Sequence, residues 1–528
     1  MKNSKPVALV AAIVSAAAFT ALADRHSWVA GNNGYFSAAD NWYVAGVGYV
    51  APVAGDELAF WRDAATAGSW LYVTNDLSVS FGTVNFSSGL MDVAGNLSLQ
   101  SSKQLRVATS PSSPLAVVNK RSGNWTIGQD VFIGGTDNGH DGVTGIFTNK
   151  LGNITAANGW IYVGGNINGG ELINTTGTLV NVSGTISTKA MIIGGAANGT
   201  RGRLEVLGGK VSLTSYDKIY GSVWSAVYMD GWGGARGEIY VAKGATLEST
   251  ANGANITFGD GVTEIKIDGT VRLNNGDIGT SNNSSPNKCE VWLGPAGRLE
   301  CREVLGSSAS GGYKRLYLDG GTRVNTINGK AVAGYFSIMV TDLGGTVEVP
   351  SGLSAFTGAW FQNAAGSSRG TIVKTGAGSL SVNNVFRPGG GLHVKQGSVQ
   401  IEHKGSFTSY DIPLKLSGTA SVTSGALVFG SGSSLSFDCA SKTSKPTMTV
   451  STSFTRSAEV PITFNTAEPF AFDDSYTLIS GGKITSTNNF KVASATADGT
   501  DITQGVYLAV ESGNLVLKRK PYFMIKVR

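Results

Sequence analysis

Ile133-Gly-Gly-Thr-Asp-Asn-Gly139 returns as Val163-Gly-Gly-Asn-Ile-Asn-Gly169 and again as Ile193-Gly-Gly-Ala-Ala-Asn-Gly199, an apolar-Gly-Gly-x-x-Asn-Gly unit repeated at a spacing of thirty residues. Downstream of each copy lies a second element: GIFTNKLGNI from Gly145, GTLVNVSGTI from Gly177, GRLEVLGGKV from Gly202 and GEIYVAKGATL from Gly237. Each unit therefore holds at least two strands and two glycine-marked corners. A looser copy continues through VYMDGWGG (227–234) and ITFGDG (256–261). A repeat of about thirty residues built as strand, corner, strand, corner is the signature of a β-solenoid, in which each turn pairs with the turns above and below. A propeller blade needs about 40 to 50 residues, so thirty is too short.

Outward from this core, the chain keeps the same grammar. Runs of four to seven residues rich in Val, Ile, Leu, Thr, Tyr and Phe alternate apolar with polar and stop at Gly, Asn, Asp or Ser, as in LSVSFGTVNF (77–86) and TEIKIDGTVRL (263–273). Helical periodicity is almost absent. Gly supplies 73 of 528 residues, about twice ordinary usage. Neither a period of three nor abundant Pro accompanies it, which excludes collagen. The corners explain the excess, because a sharp turn with positive φ admits Gly and Asn without a Cβ clash. The corner residues of the repeat are Gly134, Gly135, Asn138 and Gly139, with their counterparts Gly164, Gly165, Asn168, Gly169, Gly194, Gly195, Asn198 and Gly199. If Asn138, Asn168 and Asn198 share one corner, their amides stack in a ladder at the strand spacing of about 4.8 Å; the alternative is a separate Asn-Gly turn in each.

The ends and the bulk composition set the context. Residues 1–23 read as a secretory signal peptide: Lys2 and Lys5, an apolar run from Val7 to Thr20, and Ala21-Leu22-Ala23 before Asp24. The apolar run is too short to span a membrane, and no other segment approaches that length. Without residues 1–23 the chain carries 39 basic and 36 acidic residues, a net charge of +3 over 505 residues. That near-neutral, scattered charge points away from nucleic acid and anionic membranes. Three cysteines, Cys289, Cys301 and Cys439, are too few for a disulfide framework. Cys289 and Cys301 are either bridged across LGPAG or both buried as free thiols, and none has zinc-type spacing.

At Gly370 the sequence reads GTIVKTGAGSLSV, followed by GGGLHVKQGSVQIE from Gly389. Gly370, Thr371, Lys374, Gly376, Gly378, Leu380 and Val382 resemble the autotransporter-associated β-strand repeat, a passenger repeat of the form GT-x-x-K-x-G-x-G-x-L-x-[LV]. The usual Asn-x-Tyr-x-Gly segment is replaced by NNVFRPGG. Trp28, Asn41, Trp42, Pro52, Gly55, Asp56 and Phe60 are similar to the W…NW…P…GD…F opening of such passengers and related exported bacterial β-helix proteins. The resemblance covers under a fifth of the chain. It implies a right-handed parallel β-helix displayed at the cell surface, commonly in adhesion. Residues 421–528 hold too few strands for the outer-membrane barrel of an autotransporter, so the expectation is a passenger without its own translocator.

The expected organisation is a signal peptide (1–23), a Trp-rich N-terminal β cap with the first rungs (24–120), a solenoid with thirty-residue repeats (121–285), and its continuation (286–465) containing the passenger-type repeat 370–402. DDSYTLISGGKI (473–484) and GVYLAVESGNLVL (505–517) then form a C-terminal β cap (466–520) that covers the last rung's edge, followed by a tail, 521–528. The chain is expected to be all-β and monomeric.

Chemistry is sparse. The Asp clusters, Gly-His-Gly and Arg-x-Lys of polygalacturonase-like β-helices are absent; Asn138-Gly139-His140-Asp141 is only a fragment. The chain has four His, and His393 and His403 read as exposed strand residues. Asp137, Asn138 and Asp141 lack the second oxygen ligand of a calcium loop at Gly139 and read as a solvent turn, as does Asp473-Asp474. No catalytic residue, metal site or cofactor is expected. Pectate-lyase-like calcium ligands with an Arg or Lys base can be assembled from different rungs, which linear order does not address. Trp28, Trp42, Trp61 and Trp70 crowd the first mature residues, either as sugar-stacking contacts or as an apolar plug over the first rung. The expected function is a secreted or surface-exposed, non-enzymatic, adhesin-like protein binding glycans or cell-surface components. The alternative is a carbohydrate-active lyase or hydrolase. Three or more acidic and basic side chains converging on one lateral sheet would mark the enzyme, and a featureless Asn, Thr and Ser surface would mark binding.

Overall fold

A computed structural model describes residues 25–521 apart from 29–32, 35–37, 55, 61–70, 74–76, 109–114, 136–141, 166–173, 196–198, 216, 220–222, 230–233, 281–287, 306–312, 333–335, 358–359, 366–368, 384–385, 402–412 and 457. The chain is 58% strand and winds through about 13 turns of a parallel β-solenoid. No α-helix occurs among the described residues. The expected all-β solenoid is the observed fold.

One turn shows the plan. Thr144–Asn149 lies on a first wall, and the strand Ile154–Val163 then bends through residues 157–159 so that its two halves lie on a second and a third wall. Each segment pairs in parallel with the next turn. Thr144–Asn149 meets Thr176–Asn181, Ile154 meets Ile186, and Val163 meets Ile193. Along the first wall, alternate residues point inward and are buried while their neighbours face out, giving the pattern iBiBiB in both Thr144–Asn149 and Thr176–Asn181. This period of two is what the alternating sequence dictates.

Glycine closes the vertex between the third and first walls. Gly164 has φ +75, and a Cβ there would lie 1.8 Å from the Arg201 carbonyl oxygen. Across the vertex, Gly177 and Gly202 share a row with Gly145 and Gly237, and a Cβ on Gly177 would meet the Gly164 nitrogen at 2.1 Å. Two glycine rows therefore face each other, one from each element of the sequence repeat.

A single apolar core runs the length of the solenoid. At its start, Trp28, Trp42, Phe60, Phe86, Trp125 and Phe147 form a column of ring contacts with centroids 4.9 to 6.2 Å apart. Antiparallel pairing of Arg25–Trp28 with Trp42–Val44, and of that strand with Gly48–Tyr49, folds this end over. Among the described residues the first wall has fourteen strands, the last of them Phe386–Arg387. Beyond it, the described strands continue in two columns as far as Phe490–Ala497, so parallel stacking extends past residue 465. Ser475–Ile479, Asn514–Arg519 and Val506–Glu511 then form an antiparallel three-stranded sheet at the end, built from the two segments read as the closing pair.

Buried cations tie rungs together. The Lys374 ammonium donates to the carbonyls of Thr375, Gly376 and, one rung on, Gln396 at 2.7 to 3.1 Å. The lysine of the GTIVKTGAG motif thus links carbonyls of two successive rungs. Arg323, also fully buried, donates to the Val324, Arg302 and Ala331 carbonyls.

Candidate functional site: a charged lateral face

The tryptophans proposed as ligand contacts do not serve as such where they are described. Trp42 is fully buried and Trp28 is 4% exposed, and their rings pack on each other and on Phe60. No ring face is left for a sugar, so these two form the plug; the apolar demand of the open first rung outweighs surface display. Trp61 and Trp70 lie outside the described residues. So do Asn138, Gly139, Asn168, Gly169 and Asn198, together with Asp137, His140, Asp141 and His403, while Gly199 turns with φ +80.

Asparagine ladders exist at other corners. Asn96 Oδ1 accepts the Asn124 backbone N–H at 2.8 Å, Asn124 Oδ1 that of Asn153 at 3.1 Å, and Asn153 Oδ1 that of Thr185 at 3.0 Å. The signal was present as Gly-Asn-apolar-Ser/Thr at 95–98, 123–126 and 152–155. A second, buried series passes from Lys120 through Asn149 to Asn181.

Other sequence candidates are structural. Cys289, Cys301 and Cys439 are free and buried. Cys289 lies on the first wall and Cys301 on the second, in Arg298–Cys301, so the bridge does not form. Asp474 Oδ2 accepts the Ala471 N–H at 2.5 Å in the turn expected there. His393 is half-buried, and its Nε2 sits 2.8 Å from Ser417 Oγ, which donates to Asp438 Oδ2 at 3.3 Å. Burial, then Lys415 and Lys395, hold the imidazole below its ordinary value. The carboxylate here accepts from the serine and also pairs with Lys415 at 2.7 Å. A nucleophile needs the carboxylate behind the histidine, orienting it as a base, so this chain of contacts reads as a polar inter-rung row.

The first wall carries a feature that linear reading missed. From residue 115 to 181 its outward positions are uncharged: Leu115, Val117 and Asn119, then Thr144, Ile146 and Thr148, then Thr176, Thr178 and Val180. From residue 201 they change abruptly. Arg201, Arg203 and Glu205 are followed on successive rungs by Arg236, Glu238 and Tyr240, by Val262, Glu264 and Lys266, by Lys288, Glu290 and Trp292, and by Arg315 and Tyr317. Register stacks Glu238, Glu264 and Glu290 in one row. Like charges directly opposite across strands repel, and the flanking cations offset this. Arg203 reaches Glu238 at 3.4 Å, Lys266 reaches Glu264 at 2.9 Å and Lys288 reaches Glu290 at 2.9 Å, while Arg203 also pairs with Glu205 and Arg236 with Glu238. Burial and the Asp268 carboxylate push the Tyr240 phenol up. Arg203, Arg236, Glu238, Tyr240, Glu264 and Lys266 line a groove of about 360 Å³. Next to it, Trp292 and Tyr317 stack with their planes 3° apart, and Glu290 accepts from the Tyr317 hydroxyl at 3.3 Å.

In number, these ionisable groups meet the mark set above for an enzyme. In geometry, each of the four glutamates is already engaged by a cation. Among the described residues no group of three His, Cys, Asp or Glu side chains is placed to hold a metal ion, and no helix is long and apolar enough to cross a membrane. No family model matches the chain, and no curated protein does.

Proposed function

We propose that this chain is a secreted or surface-exposed, non-enzymatic β-solenoid of the autotransporter-passenger type, adhesin-like, that binds glycans or cell-surface components. The observation that carries the binding reading is the first wall between Arg201 and Tyr317: a parallel sheet in continuous register with polar and aromatic side chains concentrated on one face and its carboxylates neutralised by paired cations. Such a face offers hydrogen bonds and charge to a ligand lying across several rungs. The signal-peptide reading of residues 1–23 and the motif at Gly370 support export and surface display.

The second reading, a polysaccharide lyase or hydrolase, is favoured by the convergence of acids and bases on that same wall. The two separate in one experiment. Purified mature protein is incubated with a panel of polysaccharides, with and without calcium, and scored for retention and for release of unsaturated or reducing ends. Retention without turnover is the expected result. Turnover would overturn the binding reading.

A further inference from the structure

We infer that the ligand of the first wall is an anionic polysaccharide lying along the solenoid axis over Arg201, Arg203, Arg236, Lys266 and Lys288; the inference rests on the binding reading above. Exposure separates the two signs of charge. The side chains of Arg203, Arg236 and Lys266 are 47 to 58% exposed, and Lys288 is 37% exposed, while the four glutamates between them are only 9 to 24% exposed. The acids thus lie against the sheet and the cations stand above them. An approaching polymer meets positive charge first. Arg201, at the N-terminal edge of the patch, is exposed and makes no ion pair among the described residues.

Charge on this wall is also localised. Its cations gather from Arg201 onward, after three rungs whose outward positions are uncharged, although the chain as a whole is nearly neutral. Rungs repeat at about 4.8 Å, so the cations form a two-dimensional array suited to a polymer with a charge on each repeating unit. Complementary charge of this kind steers association and is weakened by salt.

The test uses the full mature chain and three immobilised probes: polygalacturonate (carboxylated), heparin (sulfated) and dextran (neutral). We expect retention on one or both anionic probes, lost at high salt, and none on dextran. The triple variant R203Q/R236Q/K266Q is expected to bind at least about tenfold more weakly, and E238Q/E264Q to bind more tightly. Lys491→Gln, at a 67% exposed position on another wall, is the control and should change nothing. The opposite signs separate ligand contact from a structural role, because loosening the wall would weaken binding in both variants. Retention on dextran alone, or anionic binding untouched by the triple variant, overturns this inference and leaves the binding reading standing. Retention on none of the three overturns the inference, and the wider panel above then decides the binding reading on its own.

Discussion

Lys120 Nζ donates to Asn149 Oδ1 across 2.9 Å, from one rung of the solenoid to the next, with both side chains fully buried. Asn149 in turn donates to Asn181 Oδ1 at 2.7 Å, so one amide in the middle holds partners on both sides. Asn149→Leu removes both bonds at once and leaves a buried ammonium short of an acceptor. A loss of about 2–4 kcal/mol is expected, read as a lower urea midpoint, with amide exchange accelerated first over residues 115–181. An unchanged midpoint would show that the series contributes nothing.

Glycines at tight and open corners should respond differently. At Gly164 an alanine Cβ would run into the Arg201 carbonyl, whereas at Gly253, with φ +78, nothing lies within 4 Å. Gly253→Ala is expected to cost about 1–2 kcal/mol for the left-handed backbone alone. Gly164→Ala adds an overlap with main chain and should lower the thermal midpoint far more, or prevent folding. Equal midpoints would refute the vertex geometry.

Burial lowers the ammonium groups of Lys120 and Lys374 to about 8, against about 10.4 in an unfolded chain. Between those values the unfolded chain binds more protons, so the contribution of each site to stability rises with pH from about 8 to about 10.5, and the cost of the buried charge is felt in full below 8. Lys374→Met should flatten that rise relative to the parent when urea midpoints at pH 7 and pH 9.5 are compared. Parallel pH profiles for the two proteins would contradict the assignment.

The three thiols should be silent in the native protein. Burial pushes Cys301 up to about 11 and Cys439 up to about 12, and raises Cys289 further still. Ellman's reagent is expected to detect no thiol before unfolding and three after it, with no reductant needed. Only one thiol appearing after unfolding would indicate a bridge between two of them.

Trp42→Ala opens a cavity under the first rung and is expected to cost about 3–5 kcal/mol. At temperatures where the variant remains folded, its retention on glycan probes should match the parent, because the ring faces the core. Lost retention in a folded variant would restore the tryptophans as contacts.

How much of this was legible in sequence depended on what each feature needs. The vertex of Gly134, Gly164 and Gly194 could be read because a positive φ with a carbonyl pressed against Cα selects one residue type, and that selection recurs in linear order. The corner glycine of GTIVKTGAG, Gly376 with φ +75, was legible for the same reason, although the carbonyl-bridging role of Lys374 was not, since Gln396 lies 22 residues away. The charged wall escaped because no single strand announces it. R-x-R-x-E at 201–205 and R-x-E-x-Y at 236–240 are ordinary half-buried strands, and only register brings Arg203 opposite Glu238. The ladder weighed against separate turns at Asn138, Asn168 and Asn198 falls outside the described residues; the one described runs through Asn96, Asn124 and Asn153, where the Asn precedes a strand and its Oδ1 can accept the next rung's N–H.

The facing glycine rows have one further effect. Gly134 and Gly145 are 11 residues apart, Gly164 and Gly177 are 13, and Gly194 and Gly202 are 8, yet all three pairs meet at the same vertex with the same strand register. The rungs are thus indifferent to what is strung between the two glycines, and closing a longer span adds only a slowly growing entropic cost. The molecule is a rack: one edge keeps its geometry while the number of residues between its paired glycines changes from rung to rung.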